Sequence, residues 1–209
     1  MRKIVYTQRV EVVESYNEIR DCTDRRIAEF ISACGFMPIP LPNISWLAED
    51  YIKEIKPDGI ILTGGNSLVR YGGGAPERDA MDKCLIGLSV KNSIPLYGFC
   101  RGMQSVLDYF GEQLIDVDGH VAVRQKINGV KDEILGDFCR EVNSFHKQAC
   151  VKIENSDLCV LAQSADGVIK AIKHNNYMLL GTMWHPEREN PFNDADIEMV
   201  KNFFANGDK

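Results

Sequence analysis

Short apolar runs alternate with longer stretches of helical spacing through the first half of the chain. Ile4-Val5-Tyr6-Thr7-Gln8 reads as a strand, and residues 24–34 place Ile27, Phe30 and Ile31 on one helical face until Gly35 stops it. Met37-Pro38-Ile39-Pro40-Leu41-Pro42 is held extended by its prolines, and residues 46–55 read as a short helix closing before Pro57. Gly59-Ile60-Ile61-Leu62-Thr63 is almost wholly apolar, as a strand covered on both faces must be. A glycine-rich loop follows, Gly64-Gly65-Asn66-Ser67 and then Tyr71-Gly72-Gly73-Gly74. A helix over 78–91, turning Met81, Leu85 and Leu88 inward, leads to a strand in Ser93-Ile94-Pro95-Leu96-Tyr97. This alternation predicts an α/β fold: an open, mainly parallel sheet flanked by helices, with its ligand crevice beyond the carboxyl ends of the strands.

The second half changes rhythm. Val121-Ala122-Val123, Cys150-Val151-Lys152-Ile153, residues 158–162, 168–172 and 178–183 are shorter, more alternating strand signals, and Asn175-Asn176 reads as a hairpin turn. An antiparallel section is therefore expected to extend the parallel sheet, and a helix over 193–204 closes the chain. No repeat, low-complexity run or linker divides the sequence, so residues 1–209 are expected to form one domain.

Composition narrows the function classes. With 44% hydrophobic and 26% charged residues the chain can bury a substantial core, and a formal net charge of -6 leaves no basic stripe for nucleic acid. Neither a signal-like apolar stretch nor a membrane-length run is present, so the expected compartment is a reducing cytoplasm. The seven cysteines include no CxxC pair; six of them, Cys22, Cys34, Cys84, Cys139, Cys150 and Cys159, read as core filling, and no metal or cofactor is expected.

Cys100 stands apart. In Tyr97-Gly98-Phe99-Cys100-Arg101-Gly102-Met103-Gln104 an apolar strand meets a helix across a turn with glycines two residues to either side of the cysteine. This is the pattern of a nucleophile elbow, in which backbone segments approach too closely for side chains and the thiol sits at a helix N-terminus. A nucleophilic thiol needs a base, and the base needs an acceptor for its other ring nitrogen. Trp184-His185-Pro186-Glu187 follows the last strand and offers both, giving Cys100, His185 and Glu187 as a triad. His174 reads as a turn residue and His120 as a structural loop residue, while His146 stands open between site lining and ordinary loop. Donors for a tetrahedral oxyanion come from the Gly64-Gly65 pair and from the amide of Arg101.

Taken in order, Leu62-Thr63-Gly64-Gly65, the elbow, Asn143-Ser144-Phe145-His146-Lys147-Gln148 and Trp184-His185-Pro186-Glu187 resemble class I glutamine amidotransferases across nearly the whole chain. Within that superfamily, Arg78-Asp79-Ala80 ahead of the elbow resembles the γ-glutamyl hydrolases of the peptidase C26 type. These include hydrolases of γ-glutamyl-γ-aminobutyrate and, most narrowly similar, the branch that cleaves γ-glutamyl-CDP-amidate in bacterial capsule phosphoramidate biosynthesis. The resemblance implies a flavodoxin-like sheet and a small-molecule γ-glutamyl substrate. It implies that Cys100 forms a glutamyl thioester, His185 moves the proton, Glu187 orients His185, and the Gly65 and Arg101 amides receive the oxyanion. It further implies that Gln104, Asn143, Ser144, Phe145 and His146 hold the glutamyl group. Arg70 and Lys147 lie where the sequence departs from the γ-aminobutyrate hydrolases, and are expected to meet the phosphates of a nucleotide leaving group. The competing expectations are a glutaminase subunit that hands ammonia to a synthase partner, and a binding module without chemistry.

Overall fold

The computed structural model describes residues 1–205. Its first half runs β1 (Lys3–Tyr6), β2 (Arg9–Val13), β3 (Glu18–Cys22), α1 (Arg25–Ala33), β4 (Met37–Pro40), α2 (Ala48–Ile55), β5 (Gly59–Leu62), α3 (Pro76–Asn92), β6 (Leu96–Phe99) and α4 (Arg101–Tyr109). The second half adds β7 (Ile115–Asp116), β8 (Val121–Gly129), β9 (Lys131–Asp132), β10 (Gly136–Asp137), β11 (Arg140–Phe145), β12 (Gln148–Ala149), β13 (Leu158–Ser164), β14 (Ile169–His174), β15 (Leu179–Thr182) and α5 (Asp194–Ala205).

A nine-stranded sheet in the order β11-β8-β13-β14-β15-β6-β5-β1-β4 forms the centre. From β15 to β4 every neighbour is parallel. From β15 outward to β11 every neighbour is antiparallel. Alternation along the buried strands splits the core into two layers: Ile4, Tyr6, Ile61, Tyr97 and Phe99 pack with Phe30 of α1 and Phe203 of α5. Val5, Ile60, Leu62 and Leu96 instead meet Ile52, Leu85 and Met103 of α2, α3 and α4. Among the described residues, no helix is long and apolar enough to cross a membrane.

The structure departs from the sequence reading in three places. Residues 9–22, given no element from the sequence, form a β2–β3 hairpin that buries Val10 but projects Val12, Tyr16 and Ile19 into solvent. Residues 150–153 are not a strand: the Cys150 carbonyl accepts from the Ile169 amide at 2.9 Å, but the pairing goes no further, and the Glu112 carboxylate takes the amides of Glu154 and Asn155 at 2.7–3.1 Å. Of the six cysteines assigned to the core, only Cys34 and Cys150 are buried; Cys84 and Cys139 are exposed.

Candidate active site

Three adjacent parallel strands deliver the site. Leu62 of β5 stands level with Gly98 of β6, and Phe99 of β6 level with Thr182 of β15. The residues that follow, Gly64-Gly65, Cys100 and His185, therefore leave the sheet at one edge. The Cys100 amide donates to the Thr182 carbonyl at 2.7 Å, tying the elbow to the strand that carries His185.

The elbow geometry explains its glycines. Cys100 has φ 51° and ψ -109°, a conformation that non-glycine residues rarely hold without about 1–3 kcal/mol of strain. A Cβ on Gly98 would lie 2.6 Å from the Gly102 carbonyl carbon, and a Cβ on Gly102 would lie 2.0 Å from the Leu62 carbonyl oxygen.

Helix α3 braces both sides of the turn. Arg78, fully buried, donates to the carbonyls of Thr63 and Gly64 at 2.8 Å and to that of Gly65. Three successive carbonyls thereby converge on one guanidinium. Arg101 sends its side chain under the elbow to Asp82 and Asp79 of α3 and to Ser105. Its backbone amide, rather than its side chain, faces the Cys100 sulfur.

His185 is buried, with Nδ1 2.6 Å from Glu187 Oε1. Its ring lies edge-on between Phe99 and Phe145, with centroids 5.8 and 5.7 Å away. Pro186 opens the short helical turn that holds Glu187, and Arg26 of α1 fastens that turn by donating to the Glu187 and Glu189 carbonyls. Nε2 has no hydrogen-bond partner of ordinary geometry among the described residues, and the group that couples to it is the Cys100 thiol. Burial alone would push that thiol up; the pull of the neighbouring His185 and the Arg101 amide together outweigh burial and hold the thiol below its ordinary 9.0. Burial would likewise lower His185, yet the Cys100 thiolate, followed by Glu187, raises it. Both shifts favour the same state, a thiolate paired with an imidazolium.

The residues expected to hold the glutamyl group are committed differently. The Asn143 carboxamide accepts from the His185 amide at 2.9 Å and donates to the His185 carbonyl at 2.8 Å, so it positions the imidazole. Ser144 and His146 turn inward to the buried Lys170, whose Nζ lies 3.2 Å from Ser144 Oγ, 2.8 Å from His146 Nε2 and 2.9 Å from His120 Nδ1. An ammonium has three donors and no acceptor, so both imidazoles accept from it, and His120 gives its remaining proton to Asp166 at 2.8 Å. Burial, then the charge of Lys170, lowers His146 to about 3 and keeps it neutral. Gln104 donates to the Gln148 carbonyl at 2.7 Å, while Phe145 forms the wall beside His185.

Neither cation assigned to the leaving group joins this set. Arg70 is exposed and paired with Asp108 at 3.0 Å, and Lys147 is exposed. The cavity that His185 does line, about 130 Å³, has Arg9 and Arg188 on its walls with Thr63, Gly64 and Gly65. Lys170, Arg9 and Arg188 had no motif to mark them, and Arg78 was marked only as part of Arg78-Asp79-Ala80, with no contact assigned to it; the signal for Lys170 was a lysine inside the apolar run Val168-Ile169-Lys170-Ala171-Ile172.

A cysteine elbow between parallel strands, with a histidine delivered by the neighbouring strand, defines the class I glutamine amidotransferase architecture. The crystal structure of a candidate GMP synthase subunit from Thermoplasma acidophilum superimposes with TM-score 0.74 at 17% identity, covering 100% of this chain and 95% of that one. The chain belongs to the Peptidase C26 family, whose model matches residues 4–187, and is thus of a cysteine-dependent hydrolase family. It is similar to a γ-glutamyl-CDP-amidate hydrolase from Campylobacter jejuni, with 31% identity covering 95% of this chain and 96% of the relative. A γ-glutamyl-γ-aminobutyrate hydrolase from Escherichia coli is 27% identical, covering 90% of this chain and 88% of the relative. An anthranilate synthase component 2 from Methanothermobacter marburgensis is 27% identical over 74% of this chain and 76% of the relative.

Proposed function

We propose that this protein hydrolyses γ-glutamyl amides through a thioester on Cys100, with γ-glutamyl-CDP-amidate as substrate and L-glutamate and cytidine diphosphoramidate as products. The observation that carries the chemistry is geometric: Cys100 on a strained elbow and the buried His185 both border the space over Gly64, with Glu187 2.6 Å from the far ring nitrogen, and the directions of the shifts, thiol down and imidazole up, agree with it. The likeness to the Campylobacter jejuni enzyme over nearly all of both chains supports the substrate.

The Cys100 thiolate attacks the γ-carbonyl carbon, and the amides of Gly65 and Arg101 receive the oxygen as it becomes negative. Each such donor is worth about 3 kcal/mol in related sites. As the intermediate collapses, the C–N bond breaks and the imidazolium of His185 gives its proton to the departing nitrogen. His185, now neutral, takes a proton from water, whose oxygen attacks the thioester; glutamate leaves and the ion pair is restored. Glu187 holds the ring in the tautomer that turns Nε2 to sulfur.

Rapid quench and peptide mass spectrometry test the scheme. Wild type is expected to carry one glutamyl group on the peptide containing Cys100, and Cys100→Ser to carry none and to lose turnover; an adduct on another cysteine refutes it. The second reading, an ammonia-producing component that waits for a synthase partner, draws on the likeness to the anthranilate synthase component. It requires activity on glutamine that rises only when a partner is added, whereas the hydrolase acts alone on a γ-glutamyl amide. A protein that forms no adduct at all would be a binding module.

A further inference from the structure

We infer that Arg9 and Arg188 form the subsite for the phosphates of the leaving group, a nucleoside diphosphate bonded through nitrogen. This rests on the hydrolase reading above and adds to it the residues that select the substrate.

In a γ-glutamyl-CDP-amidate the nitrogen that leaves is bonded directly to the terminal phosphorus. The first anionic oxygens therefore lie two bonds from the atom that His185 must protonate, and the cations that meet them must border the same space as that imidazole. Arg9 and Arg188 do so: with His185, Gly64 and Gly65 they line the 130 Å³ cavity. Arg9 enters from β2, with its Cβ 3.3 Å from the position a Cβ on Gly65 would take, beside the proposed oxyanion donor. Arg188 enters from the turn after Glu187, its guanidinium 4.2 Å over the face of Phe145, the ring that packs on His185.

Both guanidinium groups have charge left to offer. Among the described residues Arg9 pairs only with Glu11, at 3.5 Å, and Arg188 only with the edge of Glu187, at 3.7 Å; each side chain is about half exposed. The two carboxylates on the cavity wall are otherwise engaged, Asp24 capping α1 through the Arg26 amide and Glu187 holding His185. The arrangement thus places two planar, permanently charged forks where a protein of net charge -6 would otherwise repel a diphosphate. Arg70, by contrast, is neutralised by Asp108 outside this cavity.

The test compares kcat/KM on γ-glutamyl-CDP-amidate with kcat/KM on γ-glutamyl-p-nitroanilide, a neutral leaving group; their ratio cancels differences in folding or active fraction. Arg9→Ala and Arg188→Ala should each lower the ratio about tenfold, and the double variant about a hundredfold, while Arg70→Ala and Lys147→Ala leave it unchanged. A wild-type preference for the nucleotide amide that survives both arginine substitutions overturns the subsite alone. A wild type without that preference overturns the nucleotide substrate, and the subsite with it.

Discussion

One methyl group added at Gly64 should disable the site without unfolding the protein. An alanine Cβ there would stand 2.7 Å from His185 Cε1, 3.4 Å from Nδ1 and 3.5 Å from the Cys100 Cβ. Ordinary contact begins near 3.4 Å, so the imidazole must retreat by about 0.7 Å. It has nowhere easy to go: Phe99 and Phe145 flank it, and its Nδ1 is tied to Glu187 at 2.6 Å. Because φ at Gly64 lies outside the left-handed region, alanine brings no backbone strain, and the perturbation falls on His185.

A misplacement approaching 1 Å costs about a hundredfold in rate when the displaced group must meet a reacting atom. Gly64→Ala is therefore expected to lower kcat on γ-glutamyl-p-nitroanilide by about 30- to 100-fold, with a melting temperature within a few degrees of wild type. Gly87→Ala serves as the control. Its Cβ would meet only the Tyr109 hydroxyl at 3.6 Å, inside α3, so activity should hold and stability rise slightly. Gly64→Ala activity within threefold of wild type would refute the claim that this glycine makes room for the imidazole.

Two further outcomes follow from the buried charges. The rate of Cys100 alkylation by iodoacetamide, followed on its own peptide because Cys84 and Cys139 are exposed, should titrate below the ordinary thiol range; His185→Asn removes the main counterweight to burial and should move the titration upward. Unshifted titration in that variant would contradict the ion pair. Burial lowers Lys170 from 10.5 to about 8, so the folded state binds fewer protons than the unfolded chain between those values, and stability rises with pH across that window. At about 1.4 kcal/mol per pH unit, urea unfolding of wild type should gain about 3 kcal/mol on Lys170→Met from pH 8 to 10.5, and parallel curves would disprove the assignment.

What could be read from the sequence was whatever depends on local order. The buried strands are short runs of apolar residues, the elbow is eight consecutive residues, and Trp184-His185-Pro186-Glu187 is four; each carries its own geometry. The structure brings Cys100 and His185 to one sheet edge because β6 and β15 are parallel neighbours in register, which alternation could suggest but pairing alone settles. The Asn143 to His146 segment was legible as polar and near the site, but not the direction of each side chain. On a strand, neighbouring residues face opposite ways. Which way Asn143 and Ser144 point depends on His185 and Lys170, 42 and 26 positions away. The same limit applies to the leaving-group cations. Arg70 and Lys147 stood out as departures from a family pattern, whereas Arg9 lies on a mostly exposed hairpin strand in which only Val10 is buried.

The long helix α3 explains why so much charge is buried behind a small thiol. Arg78 reaches from it to the carbonyls of residues 63–65, and Asp79 and Asp82 reach from it to Arg101. One rigid element thus fixes both loops whose amides would face the reacting oxygen. Hydrophobic packing could hold the helix against the sheet, but it is not directional and could not choose which way the peptide planes of Thr63, Gly64 and Gly65 turn. A guanidinium can, because its donors form a fixed planar fork. The desolvation that lowers Arg78 to about 9 is then the cost of orienting those peptides, and it is offset where three carbonyl oxygens converge on the guanidinium.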